Sequence, residues 1–258
     1  MESKIKNIIL GAIPFLFVLI LWILSYSLGW VPAWMLPSPK YVAIGFINLL
    51  FDGTLFRLIY ISLKNAIPPF LIALLFAISL GVLIGRNKVA RKILSPSLSV
   101  LYIVPSLAWV PFIILFLGFT RETIWVVIFL SSFTKMIYSV ISGVRNINPN
   151  WIFAAKNIGL SKNKIIFKVI LPGALPEIMT GIRLGFGSAW RSLVGVEMLV
   201  ATFGGLGKFI WNAQWSFSFD KVLIGIFVIA LIGLIMEELV FKKIEKLTIE
   251  RWSILDDR

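Results

Sequence analysis

Apolar stretches long enough to cross a membrane recur along the chain and are separated by short polar segments. A transmembrane helix needs about 20 predominantly apolar residues, and six stretches qualify, at residues 8–28, 65–85, 93–119, 123–143, 178–201 and 222–241. Prolines interrupt the third stretch, and the fifth is the least apolar because it carries Arg183, Arg191 and Glu197. The pattern predicts an all-α membrane protein with six transmembrane helices.

The composition excludes a water-soluble fold. Hydrophobic residues make up 59% of the chain and charged residues 14%, whereas a soluble domain is about 45–50% apolar and about 25% charged. The chain has no cysteine and no histidine, which excludes thiolate nucleophiles and removes the commonest metal ligand. An enzyme without these residues is possible, but most hydrolytic and metal-dependent mechanisms are excluded. We predict no catalytic residue, no metal site and no cofactor in this chain.

The net charge of +13 is explained by where the positive residues lie. If the N-terminus is inside, sixteen Lys and Arg residues fall in the inner segments and five in the outer ones; the inner segments are 1–7, 86–92, 144–176 and 242–258. Because positively charged loops stay on the cytoplasmic side, both termini are predicted to be cytoplasmic, and no nucleic-acid partner is needed. The first stretch is too long for a signal-peptide core and lacks a small-residue cleavage site, so we expect a retained helix.

The chain divides into three parts. Residues 1–54 comprise the N-terminal transmembrane helix and an outer segment, whose stretch 39–51 is expected to form a short helix along the membrane interface. Residues 55–241 form the transmembrane core. Residues 242–258 form a cytoplasmic tail.

The longest inner loop, residues 144–176, is too polar to span the membrane and too regularly patterned to be a plain linker. It predicts a helix–glycine–helix element, with a helix over 151–158 capped by Asn150, a bend at Gly159, and a second helix from the cap Ser161 to Leu171, stopped by Pro172. The first helix would present an apolar face made of Trp151, Ile152, Ala154, Ala155 and Ile158. Such a face is expected to bind a partner, unless the loop and its lysines simply lie on the bilayer surface.

The spacing in residues 153–172, FAAKNIGLSKNKIIFKVILP, resembles the EAA loop of the permease subunits of ATP-binding-cassette (ABC) importers. That loop reads Glu-Ala-Ala, three residues, Gly, nine residues, an aliphatic residue, one residue, and Leu-Pro. The matching positions in this chain are Ala154, Ala155, Gly159, Val169, Leu171 and Pro172. Phe153 departs from the pattern because it stands where the family usually has Glu.

The resemblance covers residues 55–240. Four segments are similar to the branch that imports nitrate, taurine, aliphatic sulfonates and pyrimidine precursors: VPSLAWVPFIILFLG (104–118), GVRNINP (143–149), LPGALPEIMTGIRLGFGSAWRSLVGVEML (171–199) and GGLGKFIWNA (204–213). The resemblance implies a type I ABC importer permease fold in a bacterial cytoplasmic (inner) membrane.

The resemblance also implies three protein partners. A cytoplasmic ABC ATPase would dock on the EAA-type loop, an external solute-binding protein would deliver the solute, and a second copy of the chain would complete the pathway. ATP would be hydrolysed on the ATPase, so this chain is not expected to be an enzyme, and it carries no phosphate-binding P-loop motif. With Phe153 in place of Glu, any polar contact of that acid with the ATPase would be missing.

Five residues are candidates for lining the translocation pathway: Pro105, Trp109, Lys135, Arg191 and Glu197. Prolines within a span free backbone carbonyls that can line a cavity, and charges within the bilayer usually face a partner or a wet cavity. The alternatives are structural. They are a packing kink at the prolines, hydrogen bonds or ion pairs at the charges (including a Lys135–Glu197 pair), and a Lys135 that reaches the interface.

The predicted cargo is a small anionic or zwitterionic solute or a vitamin precursor, and Arg191 favours an anion. The alternative function is a self-sufficient secondary transporter or channel that uses the buried charges for ion coupling. The two halves of the sequence show no repeat, and this alternative leaves the EAA-like loop unexplained. A membrane-embedded enzyme would need a clustered acid–base or nucleophile set, and no such pair stands out.

Overall fold

The computed structural model describes the backbone of residues 2–244 and the side chains of residue 10 and of residues 13–244. Within this part the fold is entirely helical, with twelve α-helices: α1 Glu2–Ser27, α2 Pro39–Phe51, α3 Thr54–Arg86, α4 Lys88–Ile103, α5 Val110–Leu117, α6 Arg121–Asn146, α7 Pro149–Asn157, α8 Lys162–Ile165, α9 Leu171–Gly173, α10 Leu175–Val200, α11 Leu206–Trp215 and α12 Phe219–Ile235. Of the predicted tail, residues 245–258 lie outside the described residues.

Three of the described helices are long and apolar enough to cross a membrane, namely α3, α6 and Phe219–Ile244, in which α12 continues through a π-helical turn. Five spans result if each of two bent pairs is one span: Lys88–Ile103 with Ser106–Leu117, and Lys162–Gly173 with Leu175–Val200. A multi-pass membrane fold is therefore confirmed. The first predicted stretch lies in α1, of which Ile13–Ser27 is the apolar part within the described residues, so the sixth crossing stays a prediction.

Glycines let α3, α6 and α10 pack closely at the centre of the molecule. A Cβ atom at Gly81 of α3 would lie 2.6 Å from Cγ1 of Val140, and one at Gly185 of α10 would lie 2.7 Å from Cε of Met136. Gly85 and Gly181, each four residues away on the same helix, meet α6 in the same way. Small residues at this spacing permit close helix approach in membranes, so these glycines place α6 between the other two helices.

The third predicted stretch is broken instead of continuous. It consists of α4, a 3-10 turn over Ser106–Trp109 and α5, and the axes of its two parts differ by 93°. Pro105 stands at the break and Val104 before it is extended (φ −72°, ψ 122°), because a residue that precedes proline is displaced from the helical region. The break turns a short irregular segment towards α6 and α10.

The outer segment contains the short helix that the sequence predicts over 39–51. The side chain of Ser38 caps α2 by accepting a hydrogen bond from the backbone N–H of Tyr41 (3.2 Å). Nε1 of Trp22 on α1 donates to the carbonyl of Pro37 (3.0 Å). This bond ties the end of the first helix to the start of the second.

Candidate functional site

The first helix of the loop 144–176 begins earlier than the sequence predicts. Its cap is Asn148 and not Asn150, because the Asn148 side chain accepts a hydrogen bond from the backbone N–H of Asn150 (2.9 Å). Pro149 occupies the first helical position, where its fixed φ suits the helix. The N–H that proline lacks would have no partner within the helix at this position. The predicted helix over 151–158 is therefore α7, Pro149–Asn157.

Gly159 forms the bend that the sequence predicts. Its φ of +80° lies in the left-handed region, which glycine adopts without the steric cost that other residues incur. The N–H of Gly159 donates to the carbonyl of Lys156 (2.9 Å), and the N–H of Leu160 donates to that of Ala155 (3.1 Å). This pair of bonds is a Schellman motif, which satisfies the last carbonyl groups of α7.

The second half of the loop is longer and less regular than the sequence predicts. Helix α8 ends at Ile165, a π-helical turn spans Ile166–Ile170, and α9 follows. Pro172 does not stop the helix, so that prediction is wrong: it stands in the first turn of α9, where an N–H is not needed. The chain bends by 66° between this segment and α10.

The inner face of the loop is fastened to the membrane-spanning helices. Ala155, Ile165 and Ile170 are buried in one apolar cluster with α6 and α10 residues, and Val169 and Leu171 pack against its edge; the other buried members are Val82, Val140, Val144, Ile147, Ala174 and Ile178. Ala155 was predicted on the exposed face, and the structure corrects this, since 5% of it is exposed. The loop is thus packed onto the end of α6 and the start of α10, two of the helices that form the molecular centre.

The outer face of the loop remains uncovered in the isolated chain. Ala154 is exposed, as are four large apolar side chains, Trp151, Phe153, Ile158 and Phe167. Four lysines are interspersed with them in the sequence, and Nζ of Lys156 lies 5.8 Å from the centroid of the Phe153 ring. Phe153 therefore adds an apolar group to this face at the position where the importer pattern has an acid.

A cavity of about 250 Å³ opens among the 3-10 turn, α6 and α10. Its walls bring together four of the five predicted pathway residues, Pro105, Trp109, Lys135 and Arg191. The break at Pro105 causes this, because it places the turn over Ser106–Trp109 against the two helices that carry the charges.

The two cationic side chains of the cavity differ in their surroundings. Lys135 is half-buried, and its Nζ lies 3.6 Å from the centroid of the Tyr102 ring, which is a cation–π contact. Arg191 is exposed and extends along its own helix, since a Cβ atom at Gly187 would lie 3.4 Å from its Nη1. No carboxylate is among the described residues that line the cavity, so its charged groups favour an anion.

Four serines are among the polar residues that line the cavity. Ser106 contacts Ser192 (2.9 Å), Ser192 contacts Ser131 (2.8 Å), and Ser131 contacts Ser188 (2.8 Å). The sequence analysis did not single out these residues together. Ser188 and Ser192 are four residues apart on one helix face, which is the one signal that the sequence offers.

Glu197 lies away from the cavity, in a buried site of its own. Its carboxylate accepts hydrogen bonds from the Ser62 hydroxyl (2.9 Å), the Asn65 amide (3.0 Å) and the backbone N–H of Gly207 (3.0 Å). None of its surface is exposed, and Lys135 is not among its described partners. The sequence analysis missed Ser62 and Asn65, although two polar residues three positions apart at the start of an apolar helix form a shared face.

Arg183 also has a partner that the sequence did not indicate. It lies in α10 and forms an ion pair with Glu237 in the π-helical turn after α12. The pair joins α10 to the helix that continues from α12.

The comparisons with known proteins agree with this fold. Residues 73–241 match the family described as the binding-protein-dependent transport system inner membrane component. The fold is similar to a chain of the MetNI methionine ABC transporter in inward-facing conformations, with a TM-score of 0.57, 16% identity, and coverage of 75% of this chain and 97% of that chain. The predicted type I permease fold is thereby confirmed.

Curated relatives are transport permeases. The taurine transport system permease protein TauC of Escherichia coli is 33% identical over 85% of this chain and 82% of its own length. The aliphatic sulfonates permease SsuC of Bacillus subtilis, itself named as putative, is 33% identical over 91% of this chain and 83% of its own length. The bicarbonate transport system permease protein CmpB of Synechocystis is 31% identical over 72% of this chain and 66% of its own length.

The family match covers more than half of the chain, and both curated relatives and fold agree with it. Members of this family work in the membrane with a cytoplasmic ATPase and an external solute-binding protein, as the sequence analysis predicts. The chain belongs to the binding-protein-dependent transport system inner membrane components, the permease subunits of ABC importers.

Proposed function

We propose that this permease imports a small solute with an anionic oxygen-bearing group, such as a sulfonate. The observation that carries the proposal is the cavity, whose described lining holds Lys135 and Arg191 but no carboxylate. The relatives are named for taurine, aliphatic sulfonates and bicarbonate, and each of these solutes carries an acidic oxygen-bearing group. The cavity volume of about 250 Å³ suits a solute of that size.

The uncovered face of the cytoplasmic loop is the proposed docking site of the ATPase, which hydrolyses ATP on its own chain. Trp151, Phe153 and Ile158 offer apolar contacts there. The opposite face of the loop is packed on α6 and α10, so a displacement of the loop moves the helices that line the cavity. The bend at Gly159 sets the angle between the docking helix and the rest of the loop.

The proposed topology has six transmembrane helices with both termini in the cytoplasm, and α1 is the first of them. The sixteen positive residues of the inner segments against five outside support it. A second copy of the chain is proposed to close the pathway, because Arg191 at the cavity is exposed in the single chain.

The pathway is tested by solute uptake into proteoliposomes that contain the permease with its ATPase and binding protein. Taurine, ethanesulfonate, nitrate and bicarbonate are the probes. Replacement of Arg191 by Gln should raise the KM for the imported anion about tenfold or more, because a charge-assisted contact is lost. Arg57→Gln is the matched control, since Arg57 is exposed on α3 and does not line the cavity.

Two results would contradict the proposal. The first is unchanged uptake by the Arg191→Gln complex, which would remove Arg191 from the pathway. The second is uptake of none of the four anions while a neutral or cationic solute is imported, which would exclude the anionic cargo. Recovery of the ATPase with each purified variant shows that the complex has assembled.

A further inference from the structure

We infer that Ser106, Ser131, Ser188 and Ser192 form the hydrogen-bond donor site that holds the oxygen atoms of the solute in the cavity. The inference rests on the proposed function, since it assumes that the cavity is part of the pathway. All four residues line the cavity. They come from three separate elements, the 3-10 turn, α6 and α10, so the site exists only when these elements are together.

The four hydroxyls form one continuous chain. The contacts run from Ser106 to Ser192, from Ser192 to Ser131 and from Ser131 to Ser188, with oxygen–oxygen distances of 2.9, 2.8 and 2.8 Å. Ser131 and Ser192 are buried at the middle, with 4% and 7% of each residue exposed. Either partner can be the donor in each contact.

This bonding differs from that of other hydroxyls in the membrane-spanning helices. A serine or threonine in a helix commonly donates back to a carbonyl one turn earlier on its own helix. Ser79, Ser132 and Ser139 do so, to the carbonyls of Leu75, Ile128 and Lys135. The bonds described for the four serines join their hydroxyl groups to one another instead.

The four hydroxyl groups have one proton more than the hydrogen bonds between them use. Four hydroxyls carry four protons, one each, and the three contacts between them use three. When all bonds run in one direction, the unused proton is on Ser188; when they run in the other, it is on Ser106. The direction can reverse by rotation of the hydroxyl groups alone, so either end can donate to a solute.

The donor chain and the two cations recognise different properties of a solute. Lys135 and Arg191 attract any small anion, whereas the one spare hydroxyl proton, on Ser106 or Ser188, favours a solute with an oxygen atom at a defined position, because hydrogen bonds to charged oxygens are short and directional. The serines are therefore specificity-determining residues, and the cations set the overall attraction.

The test is the Ser131→Ala substitution in the complete complex with ATPase and binding protein. Ser131 makes two of the three contacts, so loss of its hydroxyl group interrupts the series of hydrogen bonds between the serines. We expect the KM for the imported oxyanion in the proteoliposome assay to rise about tenfold, the equivalent of roughly one hydrogen bond, with little change in maximal rate. Ser131→Thr, which keeps the hydroxyl, should restore the KM to within about threefold.

Ser139→Ala is the matched control on the same helix, because Ser139 donates to its own helix and does not line the cavity. Its KM should change less than about twofold. If Arg191→Gln impairs anion uptake while Ser131→Ala leaves KM unchanged, the donor chain is wrong and the proposed function stands. If neither variant affects uptake, the pathway assignment itself fails, and an equal loss in the Ala and Thr variants would assign Ser131 to packing.

Discussion

At the scale of single residues, Glu197 shows how a buried charge can serve the fold. Each described partner of its carboxylate is a donor, and one of them is the backbone N–H of Gly207 in the first turn of α11. A negative charge at that end of a helix is favourable because the unpaired N–H groups there carry partial positive charge. A Cβ atom at Gly205 would lie 2.5 Å from the carboxylate, so the loop can close over it only with glycine.

Replacement of Glu197 by Gln should destabilise the protein more than it alters solute affinity. The amide of Gln would turn a donor towards Asn65 or Gly207, and a buried donor without a partner costs about 1–3 kcal/mol. The measurement is the thermal unfolding temperature of the purified protein in detergent, which should fall by several degrees. Glu177→Gln is the control, because Glu177 is exposed in the first turn of α10.

An unchanged unfolding temperature together with lost uptake would instead give Glu197 a role in the pathway.

The sequence could not separate these outcomes, because it shows charge and spacing but not which helix faces Glu197. Arg191 and Glu197 are six residues apart, and on a helix of 3.6 residues per turn that places them about 120° apart around the axis. One therefore faces the cavity and the other faces α3 and α11.

At the scale of elements, local sequence signals predict which helices and bends form. The contacts between elements determine where the helices end and at what angles they meet. The glycine bend at 159 could be predicted because only the backbone decides it. The cap at Asn148 was missed because Asn150 is an equally good cap by residue type, and Pro149 between them decides the register. A break at Pro105 could be expected from the proline itself, but its angle of 93° could not, because no local pattern in the sequence shows how the turn packs against α6.

The uncovered face of the loop permits a docking test that leaves the fold intact. Phe153→Ser combined with Ile158→Ser should reduce co-purification of the ATPase at least fivefold, because both side chains are exposed and contribute apolar area to the contact. Phe51→Ser is the control, since Phe51 is an exposed aromatic residue at the end of α2. Recovery of the ATPase at the level of the unmodified protein would place its docking site elsewhere.

At the scale of the whole molecule, the distribution of charge gives an orientation that the absence of cysteine makes easy to test. Single cysteines at Ser161 and at Ser216 can be labelled with a membrane-impermeant maleimide, because the chain has no cysteine of its own. Both serines are exposed. Ser216→Cys should be labelled in intact cells, and Ser161→Cys only after permeabilisation. The reverse pattern would invert the proposed topology.

Because the loop packs against α6 and α10, binding of the ATPase and binding of the solute would be thermodynamically coupled. The ATPase would bind one face of a segment whose other face is packed on helices that line the solute cavity. If ATPase binding changes the affinity for the solute by some factor, then solute binding must change the affinity for the ATPase by the same factor. The affinity of the loop for its ATPase would therefore depend on whether the cavity, farther along the same helices, is occupied.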